Sequence, residues 1–226
     1  MSTITSQLNA NIGLPTQLGL IAGRGAYPLL LAESARKQGV QRLFVVAFKK
    51  ETDPAIARLA DEAHWLNFGQ LEAMLEAFRR AGITQAVMAG QITPANLFRL
   101  RPDRRALKIL ASLPARNAHT IFGAVSAELQ TAGVKLLPAY LFMEHAMPEP
   151  GRLSARAPNE REQRDIELGL RVAKAVSGLE IGQTVAVKEG VILAVEAFEG
   201  TDATLLRAGE LGGPGLVAVA GDHGTD

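Results

Sequence analysis

The residues best placed to do chemistry lie in a glycine turn, Gly23-Arg24-Gly25, which follows an uncharged run from Leu18 to Ala22. That run lacks polar alternation, which is typical of a parallel strand covered on both faces. The glycines allow a sharp turn with bare backbone N–H groups, and a helix from about Ala26 directs its positive end at the same point. The pattern predicts an anion site, with a plain strand-to-helix turn as the alternative.

The turn does not fit a nicotinamide dinucleotide. A dinucleotide fingerprint has a third glycine where this chain has Pro28, and an acidic residue after the second strand, where this chain has Lys49 and Lys50. The sequence remains compatible with phosphate binding at this turn, and it disfavours a nicotinamide oxidoreductase.

A second candidate loop, Gly90-Gln91-Ile92-Thr93-Pro94, follows the buried run Gln85 to Ala89. It is either a ligand loop or an ordinary connection shaped by proline. A basic segment comes next, with cations at Arg99, Arg101, Arg104, Arg105 and Lys108. Such a run is a solvated helix face by default, and beside a phosphate loop it could also meet a polyanionic ligand or acidic lipid headgroups.

Two carboxylates in the second half of the chain are candidates for a metal or catalytic role, Glu196 and Asp202. Alternation in a strand predicted over Val191 to Ala197 places Glu196 beside Ile192 and Ala194, where a buried charge needs a partner. We expect that partner to be a metal ion, Lys108 or backbone N–H groups of the turn at residues 200–202. We also expect Glu196 to face a cleft near the glycine turn. Asp202, like Thr201, could instead simply cap the following helix.

Strands and helices alternate through the first part of the chain. Strands are predicted over Leu43 to Phe48 and over Gln85 to Ala89, with a helix over residues 27–38 that buries Leu29, Leu30 and Leu31. Another helix carries an apolar stripe at Leu71, Met74, Leu75 and Phe78 and ends at Gly82. This rhythm predicts a parallel, Rossmann-like sheet that binds ligands at the carboxyl ends of its strands.

The prolines and glycine of residues 148–152 mark a domain boundary. We therefore predict a disordered tail over 1–15, a Rossmann-like domain over 16–147 and a smaller, partial α/β domain over 153–226. The second domain opens with a helix whose inner stripe is Ile166, Leu170 and Ala173, and its mixed charges near Asp165 indicate a solvated surface. A tight hairpin is expected at Glu189-Gly190.

Composition excludes several classes of protein. The net charge is +1, which argues against a nucleic-acid-binding protein, and the chain has no cysteine for disulfide or thiol chemistry. We expect neither a signal peptide nor a membrane-spanning helix, and so a cytoplasmic protein.

Four segments together resemble one family. They are residues 18–28, Ala89-Gly-Gln-Ile92, Leu107-Lys108 and residues 182–203, of which Val195-Glu-Ala-Phe-Glu-Gly-Thr-Asp-Ala203 is the most specific. They are similar to the UDP-2,3-diacylglucosamine pyrophosphatases of lipid A biosynthesis, in the form unrelated to metallophosphoesterases. The resemblance implies a Mg²⁺-dependent hydrolase of two α/β domains that releases UMP and 2,3-diacylglucosamine 1-phosphate (lipid X), with acyl chains in an apolar chamber.

The resemblance also implies the site. Substrate-binding positions are expected at Gly23, Arg24, Gly25, Ala26, Tyr27, Gly90, Gln91, Ile92, Lys108, Gln183, Thr184 and Thr201, and Mg²⁺ ligands at Glu196 and Asp202. Because the substrate is a lipid, peripheral contact with the inner membrane is expected, and self-association stays open.

One departure from the family concerns its catalytic aspartate, which lies in an Arg-x-Asp-Leu-Pro-x-x-Gly motif beyond the matching part. Neither Asp222 nor Asp226 stands in such a motif. The chain is thus expected to be a truncated hydrolase, or else a non-catalytic protein that binds a nucleotide sugar or a lipid phosphate.

Overall fold

A computed structural model describes residues 14–92, 102–113 and 118–221. The chain divides into two compact units, Met1–Met147 and Pro148–Asp226. Several sequence predictions lie outside the described residues: most of the tail at 1–15, the loop positions Thr93 and Pro94, the cations Arg99 and Arg101, and the terminal Asp222 and Asp226.

The first unit contains a parallel sheet of five strands. These are β1 (Gln17–Ala22), β2 (Arg42–Phe48), β3 (Glu62–Leu66), β4 (Gln85–Ala89) and β5 (Lys135–Leu136), in the order β3-β2-β1-β4-β5. The central strand β1 is covered on both faces, because Leu18, Leu20 and Ala22 belong to one apolar core and Ile21 to the other. The predicted parallel α/β sheet is confirmed. The short edge strand β5 carries no pattern that the sequence would reveal.

Helices cover both faces of this sheet: α1 (Tyr27–Lys37), α2 (Leu71–Ala81), α3 (Arg104–Ser112) and α4 (Ala118–Thr131). The stripe predicted for α2 is confirmed, since Leu71, Met74, Leu75 and Phe78 are all buried and Gly82 ends the helix in the left-handed region. In α1 the prediction was partly wrong. Leu31 is fully buried, but Leu30 is 50% exposed, because a helix turning 100° per residue cannot bury three consecutive leucines against one sheet.

The second unit is a small α/β layer. Its helices are α5 (Glu160–Gly178) and α6 (Thr201–Gly212), and its strands β6 (Thr184–Lys188), β7 (Val191–Val195) and β8 (Val217–Ala220) form an antiparallel sheet in the order β7-β6-β8. Strand β7 ends at Val195, two residues earlier than predicted. Among the helices that the structure describes, none is long and apolar enough to cross a membrane.

The inner face of α5 differs from the predicted stripe. Leu170 is 49% exposed, whereas Asp165, Gly169, Ala173 and Ser177 are buried at four-residue intervals. Asp165, expected on a solvated surface, is only 2% exposed. Its two carboxylate oxygens accept the N–H groups of Glu189 and Gly190 at 2.8 and 2.7 Å. A buried acid thus fastens the β6–β7 hairpin, whose two turn residues both have positive φ.

Candidate functional site in the first unit and a carboxylate cluster in the second

The glycine turn after β1 is joined to the loop after β4 by backbone hydrogen bonds. The Gly23 N–H donates to the Ala89 carbonyl at 2.8 Å, the Arg24 N–H to the Gln91 carbonyl at 2.6 Å, and the Gln91 N–H back to the Arg24 carbonyl at 3.0 Å. The expectation of bare N–H groups at this turn was therefore wrong for Gly23 and Arg24. The bridge lies where the strand order reverses, between β1 and β4, which is the usual ligand-binding edge of such a sheet.

Both glycines of the bridge are required by close approach. A Cβ on Gly23 would lie 2.5 Å from the Gln91 carbonyl oxygen, and a Cβ on Gly90 would lie 2.7 Å from the Arg24 carbonyl oxygen. Gly90 also has a φ of +90°, in the region that other residues avoid. Gly23 and Gly90, which suggested a phosphate loop in the sequence, are thus needed for the close contact between these two loops.

The donors that stay available lie one residue further along. The N–H groups of Gly25, Ala26 and Tyr27 have no acceptor among the described residues, and Ala26 caps α1 without a side-chain hydrogen bond. Tyr27 uses its hydroxyl to bind the Ala139 carbonyl at 3.0 Å, which holds the first turn of α1 in place. The start of α1 therefore offers positive helix-dipole potential and three N–H groups to an anion.

An apolar cavity of about 130 Å³ begins at the same turn. Gly23, Gly90 and Ile92 contribute to its wall, and the rest is almost entirely hydrocarbon, including Ile21, Phe48, Phe68, Met74, Met88, Ala106, Ile109 and Val125. Most of these side chains come from the carboxyl ends of β1, β2 and β4 and from α2, α3 and α4, and Phe68 comes from the loop after β3. The cavity accepts an apolar group and offers it almost no polar contact.

A second, more polar groove of about 690 Å³ also starts from the turn. It is lined by Arg24, Gly25 and Trp65 and by the loop after β2, residues 49–54. Trp65 packs against the apolar core on one face of the sheet, whereas most side chains of the cavity wall belong to the core on the other face. The glycine turn therefore borders an apolar space and a polar one.

In the described part of the basic segment, which begins at residue 102, one cation is neutralised by carboxylates of its own unit. Arg105 forms ion pairs with Glu128 at 2.6 Å and with Glu72 at 3.3 Å, and the hydrogen bond that it donates to Glu128 is the main reason that its pKa is raised above the usual value. Arg104 and Lys108 are exposed, and Lys108 is not among the residues that line the cavity or the groove. A substrate-binding role for Lys108 stays a prediction.

Four residues predicted for the site meet in the second unit around Glu196, which is 8% exposed. One carboxylate oxygen accepts the Thr184 N–H at 2.9 Å and the Gln183 N–H at 3.3 Å, and the other accepts the Thr201 hydroxyl at 3.0 Å. The buried charge is thus compensated, as the desolvation argument requires. Within this unit the compensating groups differ from those expected, because they are the N–H groups of Gln183 and Thr184 and the Thr201 hydroxyl, and not N–H groups of residues 200–202. The expected contact with Lys108 stays a prediction. The expected position of Glu196, facing a cleft near the glycine turn, also stays a prediction.

Asp202 lies in the first turn of α6 and is exposed. The alternative in which Thr201 or Asp202 caps this helix is not observed, since Gly200 occupies the N-cap position and no side chain caps the helix. Thr201 instead points its hydroxyl at Glu196.

The described residues contain no group of three or more histidine or carboxylate side chains that could hold a metal ion. Glu196 already uses three of its roughly four acceptor positions within its own unit. The residues present do not fit a metal held by protein side chains alone, and a Mg²⁺ role for Glu196 and Asp202 stays a prediction.

Sequence reasoning missed two features of the first unit. The residues of the cavity wall come from several elements that are far apart in the chain, so no local sequence motif indicates the cavity. The groove had a visible signal in the adjacent Lys49 and Lys50 directly after a strand, and in Trp65, the single tryptophan, at the end of another.

A parallel sheet of order 3-2-1-4-5 with a glycine turn at its reversal point defines a Rossmann-like α/β protein. The family model of the LpxI N-terminal domain matches residues 17–146 of this chain, and the family model of the LpxI C-terminal domain matches residues 149–221. The chain belongs to the LpxI family, which confirms the resemblance seen in the sequence.

A curated relative from Caulobacter vibrioides, named UDP-2,3-diacylglucosamine pyrophosphatase LpxI, is 33% identical over 198 residues. The match covers 86% of this chain and 70% of the relative.

Similar solved structures include Rhizobium etli pyruvate carboxylase, with a TM-score of 0.36 and 8% identity, covering 75% of this chain and 15% of that one. Another is the biotin carboxylase domain of Hydrogenobacter thermophilus 2-oxoglutarate carboxylase, with a TM-score of 0.34 and 12% identity, covering 91% and 44%. The chain therefore spans less than half the length of either structure.

Proposed function

We propose that this chain hydrolyses the pyrophosphate bond of UDP-2,3-diacylglucosamine, giving UMP and 2,3-diacylglucosamine 1-phosphate (lipid X) for lipid A biosynthesis. One water adds to phosphorus, one phosphoanhydride P–O bond breaks, and each product leaves with a phosphate. The name of the Caulobacter relative supports this substrate.

The structural observation that carries the proposal is the junction of two unlike spaces at the glycine turn. An acylated nucleotide sugar needs an apolar enclosure for hydrocarbon and cationic or N–H donors for its phosphates. The cavity is lined almost wholly by apolar groups, while the start of α1 and Arg24 supply donors beside it. A ligand lacking either part would leave one of these spaces unused.

The residues of the first unit would act by binding and charge stabilisation. The N–H groups of Gly25, Ala26 and Tyr27 and the Arg24 guanidinium would hold phosphate oxygens, where negative charge on the departing phosphate develops during hydrolysis. Positioning donors before the reaction is worth more than gathering them during it, because no reorganisation is then needed.

A Mg²⁺ requirement belongs to the same proposal. Magnesium commonly takes only one or two carboxylates and completes its shell with substrate phosphates and water. The exposed Asp202 suits that use better than Glu196, whose oxygens are occupied. Titrating activity against MgCl₂ and EDTA tests this requirement, and equal activity in EDTA would contradict it.

The proposed function is tested by incubating the chain with UDP-2,3-diacylglucosamine and MgCl₂ and measuring UMP by chromatography. A version extended to the length of the Caulobacter relative is assayed in parallel, with UDP-glucose as a control that lacks acyl chains. We expect UMP from the acylated substrate and much less from UDP-glucose. Ligand binding by both versions without UMP release would indicate a non-catalytic binding protein and overturn the proposed reaction.

A further inference from the structure

Three of the side chains that line the polar groove beside the glycine turn are cations. Arg24, Lys49 and Lys50 line it, and none of them forms an ion pair with a described residue. The two acids in the same lining are engaged or buried: Asp53 accepts the Ala55 N–H at 2.8 Å, and Glu51 is 8% exposed and has a contact of its own. The lining therefore carries three cations against two carboxylates, which leaves an excess of positive charge.

The loop that carries the lysines is held firmly against the end of β1. The Thr52 hydroxyl donates to the Ala22 carbonyl at 2.5 Å and accepts the Phe48 N–H at 2.9 Å, while the Lys49 N–H donates to the Leu66 carbonyl at 2.9 Å. Thr52 is 5% exposed, so this link is shielded from water. The cations consequently stand on a fixed frame formed by the ends of three neighbouring strands.

Lys50 is held in an unfavourable backbone conformation, with a φ of +69°. A non-glycine residue in this region costs free energy, and such residues concentrate at binding sites. The position immediately after β2 is also where dinucleotide-binding sheets place an acid that hydrogen-bonds a ribose. Here that position carries two lysines, whose ammonium groups can donate to phosphate oxygens and not accept from a ribose hydroxyl.

Trp65 adds an aromatic surface to the groove. It is half-buried, lines the groove, and rests on the apolar core below. An indole face beside free cations can pack against a planar base while the cations meet its phosphate. The groove volume of about 690 Å³ lies in the ordinary range of small-ligand sites.

We propose that this groove binds the pyrimidine nucleoside monophosphate end of the substrate, with Lys49 and Lys50 on the phosphate and Trp65 against the base. This inference rests on the proposed function for the identity of the nucleotide. It places that end on the face of the sheet opposite the apolar cavity. The reacting anhydride then lies at the glycine turn between them.

Trp65 is the chain's only tryptophan, so its fluorescence reports directly on the groove. The full chain is titrated with UMP, uridine and inorganic phosphate, following Trp65 emission and the heat of binding. We expect UMP to change the emission saturably, and phosphate or uridine alone to bind at least tenfold more weakly. Equal affinity for phosphate and UMP would reduce the groove to a general anion site, and UMP binding without a change in emission would place the base elsewhere.

The variant Lys49→Gln/Lys50→Asn tests the cations without straining the fold, because asparagine tolerates the left-handed backbone of residue 50. We expect its Kd for UMP to rise at least tenfold, with normal urea unfolding. The matched control is Lys37→Gln, an exposed cation in the last turn of α1, about 15 Å along the helix from its start. The control should keep the wild-type Kd within twofold.

The hydrolysis assay separates this inference from the proposed function. UMP release with an unchanged KM in the double variant would leave the function standing and overturn the groove. Saturable UMP binding to the groove in a protein that does not hydrolyse the substrate would support the groove and overturn the proposed function.

Discussion

Removing the Glu196 carboxylate should destabilise the second unit by an amount that depends on the replacement. Glu196→Ala leaves the Thr184 N–H without an acceptor at a residue that is only 3% exposed. An unsatisfied buried donor costs about 1–3 kcal/mol, and loss of a charge-assisted bond falls at the upper end of that range. The Thr201 hydroxyl can turn to the Thr184 hydroxyl at 3.3 Å, and water can reach Gln183, so these two add little. We expect a total loss of about 3 kcal/mol.

Glu196→Gln is the matched control. Its amide oxygen can still accept the Thr184 N–H, and its NH₂ group can donate to the Thr201 oxygen. Only the charge assistance is lost, so we expect about 1 kcal/mol. Urea unfolding of the full chain, followed by circular dichroism, measures both values. A loss under about 0.5 kcal/mol for the alanine variant, or equal losses for both variants, would refute the reasoning from buried donors.

The glutamine variant also tests a role in catalysis. If the charge of Glu196 contributes to Mg²⁺-dependent hydrolysis, Glu196→Gln lowers kcat in the extended version far more than it lowers stability. Unchanged hydrolysis would leave Glu196 with the structural role that its hydrogen bonds already explain.

Three further perturbations test other parts of the structure. Gly23→Ala puts a Cβ 2.5 Å from the Gln91 carbonyl oxygen and should lower the free energy of unfolding in urea by about 2–3 kcal/mol. The control Gly123→Ala, in an open position on α4, should raise it by about 0.5–1 kcal/mol. Equal effects of the two substitutions would contradict the close approach of the two loops. Glu162 has its pKa lowered to about 2, first by the Arg156 guanidinium and then by the Asn159 N–H, so its contribution to stability is complete above its ordinary value of 4.5 and is lost as pH falls towards 2. The Tm difference between wild type and Glu162→Gln should therefore be constant above about pH 5 and shrink below it, and a difference that grows in acid would reverse the assigned sign. Ala106→Met fills the apolar cavity and should raise KM for the diacylated substrate about tenfold, the cost of leaving about two methylenes in water, with UMP binding unchanged; an unchanged KM would place the acyl chains elsewhere.

The parallel sheet was predictable because β1, β2 and β4 are short, largely apolar runs separated by helical patterns, and these three strands lie where the sequence indicates. The amphipathic stripe of α2 was predictable for the same reason, since its apolar residues repeat at helical spacing. Leu30 and Leu170 were assigned wrongly because leucine is apolar on any face, and only tertiary packing decides which face is covered. Asp165 was assigned wrongly because the sequence does not reveal the hairpin N–H groups that the carboxylate binds.

The site was less predictable than the fold. The glycine turn and the loop of Gln91 were both identified, but their mutual hydrogen bonds depend on the order of strands in the sheet, which brings together segments far apart in the chain. Glu196 was identified from the cost of burying a charge, which is a general argument, but its partners depend on how β7 leads into α6. Arg105 shows the converse case, because its carboxylate partners on α2 and α4 removed a charge that the sequence counted as available.

The bridge between Arg24 and Gln91 also bears on the order in which the molecule assembles. Its two sides are separated by α1, β2, β3 and α2, so it closes only after these elements have been synthesised and β4 has docked beside β1. Closing so long a loop costs chain entropy before stabilising contacts can form, so we expect this bridge to form late in folding. A nascent or partly folded chain consequently lacks the junction between cavity and groove, and the proposed substrate could bind there only after the central sheet is complete.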